Sequence, residues 1–350
     1  PEFGAGPITI SPLTGITRNP WNTAMNSGGS SGGAAASIAA GLGYAALATD
    51  AGGSTRIPAG FCGVVGMKPT GGRVPVWPAN VAGNLSTPGV ITRSVTDAAL
   101  VLGILAKPDV RDVECAPPPP KDWLDISAHP IDGLRIAMTT DLGYAQRVDP
   151  EIAAAVRRAG AVIEGLGAQV VEVHPEIDDP IRTFNTLFRS GFGYALRDFG
   201  KNQMELVGDI LRDVAQKGWE VSLHAYLEAQ DARRTLAFAF ARFFERYDLL
   251  LTPMVSVTAF AADRWVPEEF EQFDDPRAWT PFGYPVNLIQ SPAITLPCAM
   301  SSSGLPIGLQ IIGPRFSEVR VLALAAAYEA ARDLKIGEPA ALSAASPATR

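Results

Sequence analysis

Cysteine and histidine are both scarce in this chain, at three each in 350 residues. Cys62, Cys115 and Cys298 are too few and too scattered for a disulfide framework or a cysteine-rich zinc site, so reduced thiols are expected. His129, His174 and His224 lie far apart and form no His-x-x-x-His metal pair, and none adjoins a serine-bearing glycine turn in sequence. Long apolar runs are also missing. The most apolar stretch, residues 34–48, is built largely of Ala and Gly and is too short to span a bilayer. Pro1-Glu2-Phe3-Gly4 carries neither the basic start nor the apolar run of a signal peptide. Charged residues make up 19%, with a net charge of −7, which argues against a broad basic footprint for nucleic acid. The expectation is a cytoplasmic protein with no metal, no cofactor, no membrane association and no nucleic-acid partner.

What is abundant points to a folded α/β chain. Hydrophobic content of 47% supports a sizeable core, and the length allows one large domain or two smaller ones. Residues 7–29 read as loop. A short helix of small residues is expected over 34–42, packed closely in a buried central position, followed by a strand over 44–49. Ser94-Val95-Thr96-Asp97 reads as a capping box opening a helix over 95–106. The run Pro117–Pro120 is read as a stiff surface loop. A strand–helix–strand unit over 134–139, 151–166 and 169–173 predicts parallel pairing. Helices are expected over 181–216, with breaks at Gly191, Gly193 and Gly200, and over 223–247. Short strands follow at 249–252, 293–296 and 307–312. Residues 262–280 read as irregular, a closing helix spans 319–331, and the tail after 335 reads as loose.

Two serines stand in two glycine-rich turns: Gly28-Gly29-Ser30-Ser31-Gly32-Gly33 and Asp50-Ala51-Gly52-Gly53-Ser54-Thr55-Arg56-Ile57-Pro58. A helix and a strand between them return the second turn beside the first. A serine hydroxyl needs a base to take its proton and dipoles to hold the oxyanion that its attack creates. Gly52 and Gly53 tolerate unusual backbone angles. The amides of Ala51, Gly52, Gly53 and Ser54 are therefore expected to converge on one spot, where a single donor is worth roughly 3–4 kcal/mol of transition-state stabilisation.

These turns, with Phe61-Cys62-Gly63-Val64-Val65-Gly66-Met67-Lys68-Pro69-Thr70 close behind, resemble the amidase signature hydrolases, which cleave carboxamides with a Ser–Ser–Lys triad. Thr17-Arg18-Asn19-Pro20-Trp21 and the stretch from Pro292-Ala293 through Leu309-Gln310 extend the likeness, while residues 110–290 match loosely. The resemblance implies an α/β fold with a central mixed, mostly parallel sheet covered by helices on both faces. It implies one domain over 1–350, with a signature core at about 20–75 and a variable pocket region at about 140–290. It makes Ser54 the nucleophile that carries the acyl group and Ser30 the bridging serine, joined to Gly29 by a cis peptide bond. Ala51, Gly52 and Gly53 become the oxyanion-hole and substrate-binding residues; Ser31, Asp50 and Arg56 support them.

The family's lysine lies several dozen residues ahead of the first serine, and no lysine precedes Ser30 here. Lys68, the first in the chain, matches a second familial lysine and is expected to be structural. The chain is therefore expected to lack the family's N-terminal segment and, taken alone, to turn over amides weakly. A small amide, aryl acylamide or ester is the implied substrate, and a homodimer is compatible with it. Two other readings remain. One is the A subunit of a glutamine-dependent tRNA amidotransferase, against which Ile57 counts, since that protein usually carries Gln there. The other is a catalytically crippled relative kept as a binding module. Phe184, Phe188, Phe192, Tyr194 and Trp265 are candidates for an apolar pocket, with core packing the expected job of each.

Overall fold

Eight strands form one sheet in a computed structural model that describes residues 1–119, 125, 126, 129–334, 336, 337 and 339. The last proline of the 117–120 run and nearly all of the expected loose tail lie outside the described residues. The strands are β3 (Ala45–Asp50), β4 (Val65–Lys68), β5 (Thr87–Thr92), β6 (Arg135–Met138), β7 (Gln169–Glu172), β8 (Leu249–Pro253), β9 (Ala293–Met300) and β10 (Pro306–Ile312). A small hairpin, β1 (Ile10–Ser11) with β2 (Gly15–Ile16), interrupts the N-terminal loop.

The order across the sheet is β3-β5-β4-β9-β10-β8-β6-β7. The sheet is mixed, with five strands running one way and three the other. Neighbouring strands are parallel only where β8, β6 and β7 lie side by side, at the strand–helix–strand unit read from the sequence; every other neighbouring pair is antiparallel.

Helices cover both faces. Alternation along β10 sends Leu309 and Ile311 into a core shared with α3 (Val95–Leu105), α4 (Pro150–Gly165) and α10 (Glu318–Ala331). The next residue, Ile312, joins the opposite core, built with α5 (Ile181–Ala195), α7 (Asp209–Trp219), α8 (Leu223–Arg246) and α9 (Tyr284–Leu288). Burial of one core leucine such as Leu102 contributes about 1.5–3 kcal/mol. Half of the expected capping box is present: Ser94 Oγ accepts the amide of Asp97 at 3.1 Å, while the Asp97 carboxylate accepts from the Ser94 hydroxyl at 2.8 Å rather than from its backbone amide.

Two expectations need correction. Gly191 and Gly193 do not break a helix; both lie inside α5, while Gly200 does separate it from α6 (Lys201–Leu206). The reason is close packing, because a Cβ on Gly193 would stand 2.7 Å from the backbone carbon of Gly218 in α7. The helix α1 (Gly32–Ala39) and strand β3 form where expected but not in the centre. β3 is an edge strand, and Tyr44 and Leu47 are exposed. Small residues in α1 serve close approach on one side only, that of Ala35 and Ile38. The segment after Ser54 forms α2 (Arg56–Cys62), all seven residues of which are buried, and then β4.

Candidate functional site

The two serine turns meet at the mouth of the fold. The amide of Ser31 donates to the carbonyl of Ser54 at 3.1 Å, which ties one turn to the other. The Gly29–Ser30 peptide bond is cis. Thr9 Oγ1 donates towards the carbonyls of Gly28 (2.9 Å) and Ser30 (3.2 Å) and accepts the amide of Gly32 at 3.1 Å, which fixes the first turn from outside. Ser31 Oγ donates to the carbonyl of Thr49 at 3.3 Å, linking the same turn to β3. A Cβ on Gly4 would stand 3.2 Å from Ser30 Oγ, and Gly4 also borders the cavity into which Ser54 opens.

That cavity is a slot of about 30 Å³, room for about one water molecule. The N-terminal loop (Gly4, Gly6, Pro7), the Ser54 turn and the helix after it (Gly52, Ser54, Ile57) and residues from the later region (Phe184, Phe188, Arg277, Thr280, Tyr284) line it. Phe184 stacks on Phe188 and on Tyr284, giving the slot an aromatic wall. Of the candidate pocket aromatics, Phe184 and Phe188 are therefore both packed and pocket-lining. Phe192 is core, Tyr194 is exposed, and Trp265 lines separate cavities.

Beneath the Ser54 turn lies a buried ionic network. Asp50 and Arg56 are both fully buried, with Nη2 2.8 Å from Oδ1 and Nε 2.8 Å from Oδ2. The same carboxylate accepts the amides of Gly53 (2.7 Å) and Thr55 (3.2 Å). Arg56 reaches further, to Asn287 Oδ1 (2.7 Å), the Gly283 carbonyl (3.1 Å) and Gln310 Oε1 (2.5 Å). Gln310 in turn donates to Thr252 Oγ1 and to the Phe282 carbonyl. A buried ion pair persists only when its remaining donors and acceptors are satisfied, and here they are. Burial by itself would raise the Asp50 carboxyl, but the charge and hydrogen bonds of Arg56, with Lys68 and Asn287, hold it down at about 2.

One expectation about the donors changes. Gly53 has φ +119°, a conformation suited to glycine, and its amide is directed at Asp50. It is therefore not free to meet an oxyanion. Among the described residues the amides of Ala51, Gly52 and Ser54 donate to no protein acceptor. Lys68, expected to be structural, is fully buried and donates to the carbonyl of Pro69 at 2.8 Å. Burial, with the nearby Arg56 charge, pushes its ammonium down to about 7.

Sequence reasoning misses Asn287, Thr252 and Arg277. Gln310 enters it only as part of a matching stretch. The available signal is polarity out of place: Thr252 and Gln310 each break an apolar strand, and each faces α2 across the sheet.

A mixed α/β sheet presenting a pair of stitched serine turns defines the class of protein. Within that class, the Amidase family model matches residues 1–322, and the chain belongs to this family. It is 36% identical over 369 residues to the A subunit of the glutamyl-tRNA(Gln) amidotransferase of Synechococcus sp. (strain CC9605), covering 97% of this chain and 74% of that one. The corresponding protein of Moorella thermoacetica is 38% identical over 356 residues, covering 94% and 71%. Among solved structures, 6-aminohexanoate cyclic dimer hydrolase in complex with substrate superposes with a TM-score of 0.89 at 30% identity, covering 98% of this chain and 76% of that one. A bacterial aryl acylamidase of the amidase signature family gives 0.86 at 30% identity, covering 95% and 71%.

Proposed function

We propose that this chain, as a single domain, hydrolyses carboxamides, and also aryl acylamides and esters, through an acyl-enzyme on Ser54. Ser54 Oγ attacks the amide carbonyl carbon and gives its proton to Ser30, which passes it to a base. In the family that base is a lysine ahead of Ser30; none precedes Ser30 among these 350 residues, and on their own they are expected to turn amides over weakly. The carbonyl oxygen becomes an oxyanion that accepts from the free amides of the 51–54 turn. The carbon–nitrogen bond then breaks, and the amine leaves with a proton. Water attacks the ester so formed and releases the carboxylate, restoring the serine. Esters react by the same route, since their leaving groups are better. Ser31 braces the turn through Thr49, while Asp50 and Arg56 hold the amides from below.

The observation that supports this reading is the Ser31–Ser54 backbone hydrogen bond of 3.1 Å, which ties the first serine turn to the turn whose Gly52 and Ser54 line the slot. The family and the aryl acylamidase relative support it. A cytoplasmic enzyme acting on small molecules, without metal or nucleic acid, belongs to the same proposal and rests on composition.

A fluorophosphonate probe with mass mapping tests it. The expected adduct is on Ser54, absent in Ser54→Ala and strongly slowed in Ser30→Ala. Labelling that is absent from the wild type, or that survives Ser54→Ala, overturns the nucleophile and favours a non-catalytic relative. A second reading, the A subunit of a tRNA-dependent amidotransferase, is supported by the curated relatives of that name. Release of ammonia from glutamine in preference to simple amides would select it.

A further inference from the structure

The slot that Ser54 lines, at about 30 Å³, has room for about one water molecule, and a methyl group is of similar size. Its walls are held from behind. Phe184 lies against the Ser54 turn: a Cβ on Gly52 would stand 2.6 Å from its Cζ. Phe184 stacks on Phe188 at 5.2 Å and on Tyr284 at 5.4 Å, and Phe188 rests on Phe192 at 4.6 Å; all four rings are buried. Tyr284 is anchored in turn. Its hydroxyl donates to Asp179 Oδ1 at 2.7 Å, and the same oxygen accepts the amide of Ile181 at the start of α5. The N-terminal loop is packed as tightly, since a Cβ on Gly6 would stand 2.3 Å from Trp265 Cη2. Close-packed walls do not absorb extra methylenes without strain.

Two arguments say which half of an amide such a slot takes. The acyl group stays on the serine until water removes it, whereas the amine must leave, so the enclosed space suits the part that remains. The nitrogen also gains positive charge as the carbon–nitrogen bond breaks, and the guanidinium of Arg277 on the slot's wall disfavours a second cation beside it. Aromatic rings and glycines suit an alkyl group instead.

We propose that the braced wall of Phe184 and Phe188 limits the acyl group on Ser54 to the shortest chains, so that the substrates of this protein are acetyl amides and esters, with propanoyl at the edge and longer acyl chains rejected. This rests on the hydrolase reading above and narrows it. The two phenylalanines are then specificity residues, and the Tyr284–Asp179 contact is the brace that keeps their wall in place.

A series of p-nitrophenyl esters tests it, because acetate, propanoate, butanoate and hexanoate share one leaving group and differ only in the chain that must enter the slot. The rate of nitrophenol release is read together with the mass of the acyl adduct on Ser54. The wild type is expected to favour acetate over butanoate by about tenfold or more, the scale on which an apolar pocket separates chains by a methylene or two. Phe188→Ala is expected to raise the absolute rate with butanoate above that of the wild type by about tenfold; Phe184→Leu, a milder change, should shift it the same way. A gain of rate cannot come from a misfolded variant. A wild type that takes butanoate and hexanoate as readily as acetate, or variants that gain nothing with the longer chains, overturns the size limit and leaves the hydrolase standing. Absence of any acyl adduct on Ser54, with every ester, overturns both.

Discussion

The side-chain amide of Asn287 donates both to the backbone carbonyl of Asp50, at 2.6 Å, and to its carboxylate, at 3.0 Å, across 237 positions of sequence. Through this contact α9, a five-residue helix before β9, holds the base of the Ser54 turn. The buried network is thus a clamp between the signature segment and the C-terminal half of the sheet, and Arg56 is the residue that every other member touches or approaches.

Removing the acid from the clamp leaves that arginine stranded. Asp50→Ala is expected to cost about 3–5 kcal/mol, since an uncompensated buried charge remains, read as a lower urea midpoint at pH 7. The folded carboxyl is held down at about 2 against an ordinary 3.8. Its stabilisation is therefore full above the unfolded value and is lost as pH falls towards 2. In Asp50→Ala this component of acid unfolding should disappear; an unchanged midpoint and acid limb would show that the ion pair does not stabilise the fold.

Gly283 packs directly against the Ser54 turn from far along the chain. A Cβ there would stand 2.3 Å from the carbonyl oxygen of Gly52 and 3.3 Å from the Cα of Gly53. Both neighbours are backbone, so the turn must move. Gly283→Ala is expected to slow fluorophosphonate labelling of Ser54 by about tenfold to a hundredfold, the scale set by ångström-level misplacement of reacting groups. Labelling at the wild-type rate would mean that the 51–54 turn tolerates displacement.

Lys68 predicts a slope of stability with pH. The native ammonium releases its proton at about 7, whereas the unfolded lysine keeps it to 10.5. Between those values the unfolded chain binds the extra proton, so this residue makes stability rise with pH. Asp50 does not titrate in that window. Urea midpoints measured from neutral to alkaline pH should climb less steeply in Lys68→Met than in the wild type. Parallel curves for the two proteins would rule out a burial-lowered lysine.

The α5–α7 crossing depends on a missing side chain. A Cβ on Gly218 would lie 2.0 Å from the carbonyl oxygen of Arg189. Gly218→Ala is expected to destabilise by about 1–3 kcal/mol through overpacking, despite the better helix propensity of alanine. A raised melting temperature would show that the helices can separate at no cost.

Much of the fold is legible in the chain itself. The helices α3, α4, α8 and α10 and the parallel unit β6–α4–β7 follow from local periodicity and caps, which act within a few residues. The Ser30–Ser31 and Ser54 turns are legible because glycine-rich chemistry leaves a dense local pattern. The fate of Gly191 and Gly193 is not, because a glycine that breaks a helix and one that lets two helices touch look alike until the second helix is placed. The Gly53 amide misleads for a similar reason: local geometry makes it a donor, but its acceptor is a carboxylate already held by Arg56.

The amino-acid order alone determined the kind of chemistry available here, two serines in permissive turns inside a family-like segment, because those turns are built from neighbours in the chain. Only the tertiary structure decided which amides stay free, that β3 is an edge, and that Arg277 from the variable region reaches the Ser54 slot with no carboxylate paired to it among the described residues. The last two depend on contacts between residues far apart in the chain, and no local pattern encodes which distant partner a buried charge will meet or lack.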